Sequence, residues 1–166
     1  MNHSAEGRVF TFATRSGAET IEVGRKLAEL LAPPQLLLLC GDLGAGKTTL
    51  VKGIAQALDA ADADEVTSPT FTLLHEYEGQ RHGSPVKLYH LDVYRLESER
   101  QLEALGLDDL FAANALILVE WGEKFPSIRK RATGEIAIHA TGGDTRKITV
   151  SLLSPGDAES SSVSSR

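Results

Sequence analysis

The chain has 166 residues, 42% of them hydrophobic and 24% charged, which is typical of one globular domain. Seventeen basic and 23 acidic residues give a formal net charge of −6, so we expect no broad cationic surface and no tight direct binding to nucleic acid. A single cysteine, Cys40, excludes an internal disulfide and favours the reducing cytoplasm. The longest apolar run, residues 36–40, is far shorter than the roughly 18 residues of a membrane span, and the N-terminus lacks an export-signal pattern.

The first half of the chain predicts alternating strands and helices. Ser16 and Glu19 match a capping box at the start of an amphipathic helix. The apolar run 35–40 is typical of a strand buried on both faces of a parallel sheet. The predicted elements are a strand over 9–13, a helix over 18–31, a strand over 35–40, a helix over 47–58 and an acidic linker over 59–66.

The second half predicts a hairpin, short helices and three further strands. The predicted elements are hairpin strands over 70–78 and 86–95, helices over 98–105 and 108–113, a buried strand over 115–119, and two strands at the sheet edge over 135–140 and 146–153. Strand–helix alternation predicts the α/β class, with a mixed, mostly parallel central sheet flanked by helices. We expect one domain over 1–153 and a disordered serine-rich tail over 154–166.

A phosphate-binding loop (P-loop) pattern follows the first buried strand. Gly41, Gly46, Lys47 and Thr48 match glycine, four residues, glycine, lysine, then serine or threonine. Because the pattern joins a buried strand to a helix, backbone N–H groups and the helix N-terminus are expected to face an anion. Lys47 would neutralise the phosphates, and the Thr48 hydroxyl would ligate Mg²⁺. The alternative is an ordinary glycine-rich turn with an exposed lysine. Cys40, beside the loop, is interpreted as a small buried hydrophobic residue.

Polar side chains recur along the strand predicted over 86–95. A period of two places His90, Asp92 and Tyr94 on one face, where burial is costly unless they line a site. The alternative is the solvated face of an edge hairpin. A zinc site at His90 and Asp92 is disfavoured, because no further cysteine or histidine completes the usual ligand spacing.

Two other segments carry candidate functional residues. Glu120 follows a buried strand, and ligands gather at the carboxyl ends of parallel strands, so this carboxylate is a candidate for holding Mg²⁺. A capping or solvent-facing glutamate is the alternative. Trp121 belongs either to the core or to a shield around the site. The hydroxyl-rich segment 67–70 is a loop that either senses a terminal phosphate or forms an ordinary turn.

Five segments together resemble the TsaE (YjeE) family of bacterial tRNA-modification ATPases, in order between about residues 9 and 153. They are GDLGAGKTT, SPTFTLLHEYEG, LYHLDVYRL, LGLDDLF and LVEW. The resemblance implies a small P-loop NTPase-like domain with weak, partner-dependent ATP hydrolysis. It further implies work with the TsaB and TsaD proteins in making threonylcarbamoyladenosine, with TsaD performing the transfer chemistry and tRNA reached through these partners.

The resemblance also implies roles for individual residues. Asp92 resembles the family's essential aspartate, which orients or deprotonates the attacking water, and Thr48 and Glu120 would place Mg²⁺. Thr70 lies in a switch-like loop, Trp121 follows the metal-site glutamate, and residues 14–20 would border the adenine. The phosphates of ATP would be bound by Gly41, Asp42, Leu43, Gly44, Ala45, Gly46, Lys47, Thr48 and Thr49.

Two other functions compete with the accessory ATPase. A nucleoside or small-molecule kinase shares the size and the P-loop, but it needs an acceptor pocket and arginines in a lid. The one dense basic run, residues 129–131, is interpreted as a solvated loop. The other candidate is a module in which ATP sets a docking surface without being hydrolysed. The sequence leaves the oligomeric state open.

Overall fold

The computed structural model describes residues 7–111 and 114–153, with the side chains of residues 108 and 111 outside the description. The strands are β1 (Arg8–Thr14), β2 (Gln35–Cys40), β3 (Leu74–Arg81), β4 (Ser84–Asp92), β5 (Ala115–Glu120), β6 (Gly134–Gly142) and β7 (Thr145–Leu152). The helices are α1 (Gly17–Leu30), α2 (Lys47–Ala57), α3 (Glu99–Glu103), α4 (Leu107–Phe111) and α5 (Pro126–Arg131), with 3-10 turns at Ala63–Glu65 and Gly122–Lys124.

The seven strands form one mixed sheet in the order β1-β7-β6-β2-β5-β4-β3. The central strands β6, β2, β5 and β4 run parallel to one another. The outer pairs β1–β7, β6–β7 and β3–β4 are antiparallel. The predicted fold class, α/β with a mixed, centrally parallel sheet flanked by helices, is therefore confirmed.

Two hydrophobic clusters cover the two faces of this sheet. Alternate side chains of β2 divide between them, because Leu37 and Leu39 join the cluster under α1 and α2, whereas Leu36 joins the one under α3, α4 and α5. Leu118 and Val119 of β5 divide in the same way. Burial on both faces explains the uninterrupted apolar runs.

The first helix begins as the sequence predicts, with a variation. The Ser16 hydroxyl accepts the Glu19 backbone N–H at 3.1 Å, as a capping residue does. The Glu19 carboxylate accepts the backbone N–H of Arg15, one residue earlier than in a standard capping box. The helix therefore starts at Gly17, within one residue of the prediction.

The hairpin prediction is wrong at both of its outer ends. Residues 70–73 form a turn in which the Leu73 N–H donates to the Pro69 carbonyl at 2.8 Å, so β3 begins only at Leu74. On the other strand, β4 ends at Asp92, and Tyr94 lies beyond it. The two strands extend into residues 79–85, which separate the predicted strands, so the turn shrinks to His82 and Gly83.

Three further predictions need correction. The strands near the C-terminus are not at the sheet edge, because β1 pairs with β7 and β6 lies between β7 and β2. The basic run 129–131 is the last turn of α5 and not a loop. The helix predicted over 108–113 runs over Leu107–Phe111, and residues 112 and 113 lie outside the described residues, as does the predicted tail 154–166.

Candidate functional site

The P-loop connects the end of β2 to the start of α2, at the carboxyl edge of the parallel strands. Gly44 (φ 78°) and Gly46 (φ 111°) adopt left-handed conformations that favour glycine. The Ala45 N–H donates to the Asp42 carbonyl at 3.0 Å, which closes a turn within the loop. A Cβ at Gly41 would lie 2.7 Å from the Ile138 carbonyl, so this position needs glycine for close packing against β6. The loop therefore forms a concave surface at a helix N-terminus, where backbone N–H groups favour the binding of an anion.

Glu120, the last residue of β5, binds two cationic or donor side chains. Lys47 Nζ lies 2.9 Å from Glu120 Oε1, and His90 Nε2 lies 2.7 Å from Oε2. His90 is fully buried and Glu120 is 4% exposed. Burial alone would raise the pKa of Glu120, but the hydrogen bonds and charges of His90 and Lys47 outweigh it and hold this pKa below its ordinary value. Glu120 is thus an ionised carboxylate beside the P-loop lysine. Because it is buried, the alternative of a solvent-facing glutamate is wrong.

Asp92 lies beside Glu120, because the two residues are register partners at the ends of β4 and β5. Its Oδ1 accepts the Tyr94 backbone N–H at 3.0 Å, and its Oδ2 accepts the Thr70 hydroxyl at 3.3 Å. Asp92 is only 4% exposed, and β4 is an interior strand. The solvated-edge alternative for this polar face is therefore wrong for His90 and Asp92, although Tyr94 is 58% exposed.

The hydroxyl-rich loop before β3 is tied to this carboxylate and to the sheet. Ser68 Oγ and Thr70 Oγ1 lie 2.7 Å apart, and Thr70 then donates to Asp92. His75 joins the two sides of the loop, with Nε2 2.7 Å from Thr72 Oγ1 and Nδ1 3.2 Å from the Thr67 carbonyl. The loop is thus an ordered structure that holds Thr70 against the site. His75 was not predicted as a site residue, although it lies in the segment SPTFTLLHEYEG that contributes to the family resemblance.

These elements enclose a pocket of about 410 Å³. Its lining residues are Leu43, Gly44, Gly46, Lys47, Thr48, Thr49, Ser68, Thr70, Asp92, Tyr94, Glu120 and Trp121. The rings of Tyr94 and Trp121, which both line it, lie 5.0 Å apart, and Trp121 is 42% exposed. Trp121 is therefore part of the pocket wall and not of the core.

The remaining candidates lie outside this pocket. Residues 14–20 do not line it; Thr14 and Thr20 are buried and their hydroxyls lie 2.9 Å apart. Cys40 is half-buried, and burial together with the carboxylates of Glu135 and Glu123 raises the pKa of its thiol to about 12. Such a thiol is protonated at neutral pH and is a poor nucleophile, in keeping with its interpretation as a small hydrophobic residue.

The donor chemistry of the pocket fits Mg²⁺, the metal that the family resemblance implies. Thr48, Asp92 and Glu120 present oxygen atoms, and Mg²⁺ is commonly held by one or two carboxylates, water and substrate phosphates. No group of three or more His, Cys, Asp or Glu side chains suited to a metal is found within residues 7–111 and 114–153.

Known proteins resemble this chain in both sequence and fold. The model of the family described as threonylcarbamoyl adenosine biosynthesis protein TsaE matches residues 14–148. The chain belongs to the TsaE family. The Bacillus subtilis tRNA threonylcarbamoyladenosine biosynthesis protein TsaE is 40% identical over 135 residues, which cover 81% of this chain and 80% of that protein. The Treponema pallidum TsaE is 36% identical over 137 residues, or 82% and 96% of the two chains.

A solved structure extends the match to the fold. The crystal structure of Bacillus subtilis YdiB superposes with a TM-score of 0.64 at 31% identity, covering 96% of this chain and 98% of that one. The TsaE relatives are named for tRNA threonylcarbamoyladenosine biosynthesis, which confirms the resemblance seen in the sequence. Among the described residues, no helix combines the length and the apolar character required to cross a membrane.

Proposed function

We propose that this TsaE-family protein binds ATP with Mg²⁺ and hydrolyses it weakly on its own and faster with its partners. The hydrolysis would drive or reset the TsaB–TsaD complex during threonylcarbamoyladenosine synthesis on tRNA. The observation that carries the proposal is the meeting of three groups in one pocket: a glycine-rich loop, its lysine on Glu120, and the buried Asp92 in register beside it.

The P-loop residues bind and orient the polyphosphate. The N–H groups of the loop and the Lys47 ammonium neutralise phosphate oxygens, which requires Lys47 to exchange part of its contact with Glu120 for the ligand. The ion pair thus keeps the lysine close to its place of action. Thr48 and Glu120 would hold Mg²⁺, which when bound would supply positive charge against the phosphates of the nucleotide.

Asp92 acts on the water molecule that attacks the γ-phosphate. Its carboxylate is anchored by Thr70 and by the Tyr94 N–H, which fixes its direction in the pocket. We assign it to orient the water and accept its proton as the water oxygen bonds to the γ-phosphorus. The bond from that phosphorus to the β–γ bridging oxygen breaks, and ADP and phosphate leave. Tyr94 and Trp121 form an aromatic pair in the wall of the pocket, which would limit the entry of further water.

The charge of the protein suits contact with tRNA through other proteins. A net charge of −6 gives the chain little electrostatic attraction to a phosphate backbone. TsaB and TsaD, which the family resemblance implies, would therefore carry the tRNA. We place the protein in the cytoplasm, where tRNA modification occurs and where a free thiol such as Cys40 is maintained.

Two substitutions test the assignment of roles. Lys47→Ala is expected to weaken ATP binding by about tenfold or more and to abolish hydrolysis, because a charged hydrogen bond to phosphate is lost. Asp92→Asn is expected to abolish hydrolysis while leaving ATP affinity within about twofold of wild type, because the asparagine still accepts the Tyr94 N–H. Glu22→Ala, an exposed position on α1, is the control.

The same measurements separate the competing functions. Turnover retained in Asp92→Asn would remove Asp92 from the reaction, and ATP affinity retained in Lys47→Ala would overturn the P-loop assignment. A phosphorylated product formed from a panel of nucleosides would indicate a kinase. Partner binding that depends on ATP but releases no phosphate with all partners present would indicate a module that does not hydrolyse its nucleotide.

A further inference from the structure

Arg146, near the start of β7, contacts the P-loop from outside the pocket. Its Nε donates to the Ala45 carbonyl at 2.7 Å, and its Nη2 lies 3.4 Å from the Gly44 carbonyl. Its Nη1 donates to the carbonyls of Gly143, at 2.7 Å, and Thr145, at 2.8 Å. The guanidinium therefore joins the P-loop to the β6–β7 turn, although Arg146 and Ala45 are 101 residues apart in the chain.

The Ala45 contact bears directly on the phosphate-facing side of the loop. In a trans peptide, the carbonyl oxygen of one residue and the N–H of the next lie on opposite edges of one plane. Holding the Ala45 oxygen on Arg146 consequently turns the Gly46 N–H the other way. Gly46 lines the pocket, and its φ of 111° is a conformation that only this type of residue adopts readily.

The choice of an arginine also has a physical reason. Its planar fork reaches carbonyls of two separate segments at once, whereas a lysine ammonium is a compact point charge. The positive charge additionally lies against the outer side of a loop whose inner side would take phosphate. Hydrogen bonds from a charged donor are stronger than neutral ones, so this contact is well suited to holding a glycine-rich loop.

We infer that Arg146 is a positioning residue that fixes the P-loop in its phosphate-binding conformation and couples that conformation to the β6–β7 turn. It acts through the backbone carbonyls and not by touching the reacting atoms. The consequence for ligand binding rests on the proposed function, namely that the loop binds the phosphates of a nucleotide. The consequence for the loop itself stands without any ligand.

The test compares Arg146→Ala with Lys147→Ala in two experiments. Lys147 is the next residue on β7, is exposed, and carries the same charge, so its variant controls for charge loss on this strand. The first experiment is amide hydrogen exchange of the ligand-free protein by NMR, read at Ala45, whose N–H bonds to Asp42 within the loop. We expect exchange about tenfold faster in Arg146→Ala and within about twofold of wild type in Lys147→Ala.

The second experiment is calorimetric titration with ADP, together with the kinetics of ATP hydrolysis. Arg146→Ala should weaken ADP binding by about tenfold and raise KM for ATP similarly, with kcat changed by less than about twofold, because Asp92 and Glu120 are untouched. A residue that served only the stability of the fold would lower the Tm without this split. Arg146→Lys, which keeps the charge, should fall between wild type and Arg146→Ala.

The outcomes distinguish the positioning role of Arg146 from the proposed function. Unchanged Ala45 exchange in Arg146→Ala overturns the inference. If wild type binds ADP, an unchanged ADP affinity in Arg146→Ala overturns it as well. If wild type neither binds ADP nor hydrolyses ATP while Arg146→Ala still speeds exchange, the proposed function fails and the positioning of the loop by Arg146 is upheld. Should Arg146→Ala not fold, Arg146→Lys decides, with wild-type exchange and affinity contradicting the inference.

Discussion

His90 Nε2 donates to Glu120 Oε2 at 2.7 Å, so the side chain that ends one buried strand is held by a fully buried imidazole from its neighbour. His90 Nδ1 has no hydrogen-bond partner among the described residues. His90 Nε2 is the donor of the contact with Glu120, because an ionised carboxylate oxygen can only accept. His90 thus fixes one oxygen of Glu120 while the other stays on Lys47.

Acid is expected to weaken this arrangement. Because the pKa of Glu120 is lowered in the folded protein, the ionised carboxylate stabilises the fold above the unfolded-state value of 4.5. That contribution is lost as the pH falls through the lower folded-state pKa. The difference in free energy of unfolding between wild type and Glu120→Gln should therefore shrink as the pH is lowered from about 7 to about 3.

Urea denaturation at several pH values measures this difference. Glu22→Gln, with a carboxylate that is mostly exposed, is the control for the loss of one negative charge. A difference between wild type and Glu120→Gln that stays constant over the whole range would contradict the role given to the Lys47–Glu120–His90 contacts.

The thiol of Cys40 should react slowly. With a pKa of about 12, its thiolate fraction near neutral pH is on the order of a thousandth of that of an ordinary cysteine. Alkylation by iodoacetamide should therefore be at least about a hundredfold slower in the native protein than in the same protein unfolded in urea. Equal rates in the two states would show that the burial and the carboxylates around Cys40 do not suppress its ionisation.

Helices α1 and α2 approach each other too closely at Gly53 to leave room for a side chain there. A Cβ at Gly53 would lie 1.9 Å from the Ile21 carbonyl and 3.0 Å from Gly24 Cα. Gly53→Ala is thus expected to destabilise the protein by about 1–3 kcal/mol, despite alanine's better helix propensity. Because α2 begins at Lys47, nucleotide affinity should fall as well.

The matched control is Gly17→Ala. Nothing lies within 4 Å of a Cβ at Gly17, the first residue of α1, so this variant should be neutral or slightly stabilising. Thermal unfolding of the two variants checks the pair, and equal Tm values for Gly53→Ala and wild type would contradict the close helix contact.

Thr70 should affect turnover more than binding. Its hydroxyl donates to Asp92 Oδ2 at 3.3 Å, and Thr70→Val removes this contact at nearly constant volume. We expect kcat for ATP hydrolysis to fall by roughly fivefold, corresponding to about 1 kcal/mol for the loss of one long hydrogen bond, with ATP affinity little changed. Thr11→Val, exposed on β1, is the control. A lower affinity with unchanged kcat would place Thr70 in ground-state binding instead.

Sequence patterns predicted the parts of the site that rest on local rules. A P-loop needs its glycines and lysine at fixed spacing, so residues 41–48 could be located from sequence alone. Burial on both faces made β2 and β5 uniformly apolar, which placed Glu120 at the ligand edge of the sheet.

The missed features depend on contacts between distant segments. Arg146 acts through the carbonyls of Ala45 and Gly44, and backbone contacts leave no residue pattern in the sequence. The turn at 70–73 replaced the predicted strand because hydroxyl contacts between neighbouring side chains, such as Ser68–Thr70, favour turns over a ladder. The late strands became interior because β1, from the other end of the chain, adds to β7.

The central claim is that ATP hydrolysis in this pocket is controlled by partners. The most direct measurement is Mg²⁺-dependent phosphate release by the purified protein alone and when mixed with TsaB, TsaD and tRNA. We predict slow release alone, clear stimulation in the mixture, and loss of the stimulated rate in Glu120→Gln. Brisk release that the partners leave unchanged would contradict the account and indicate a free-standing phosphotransferase.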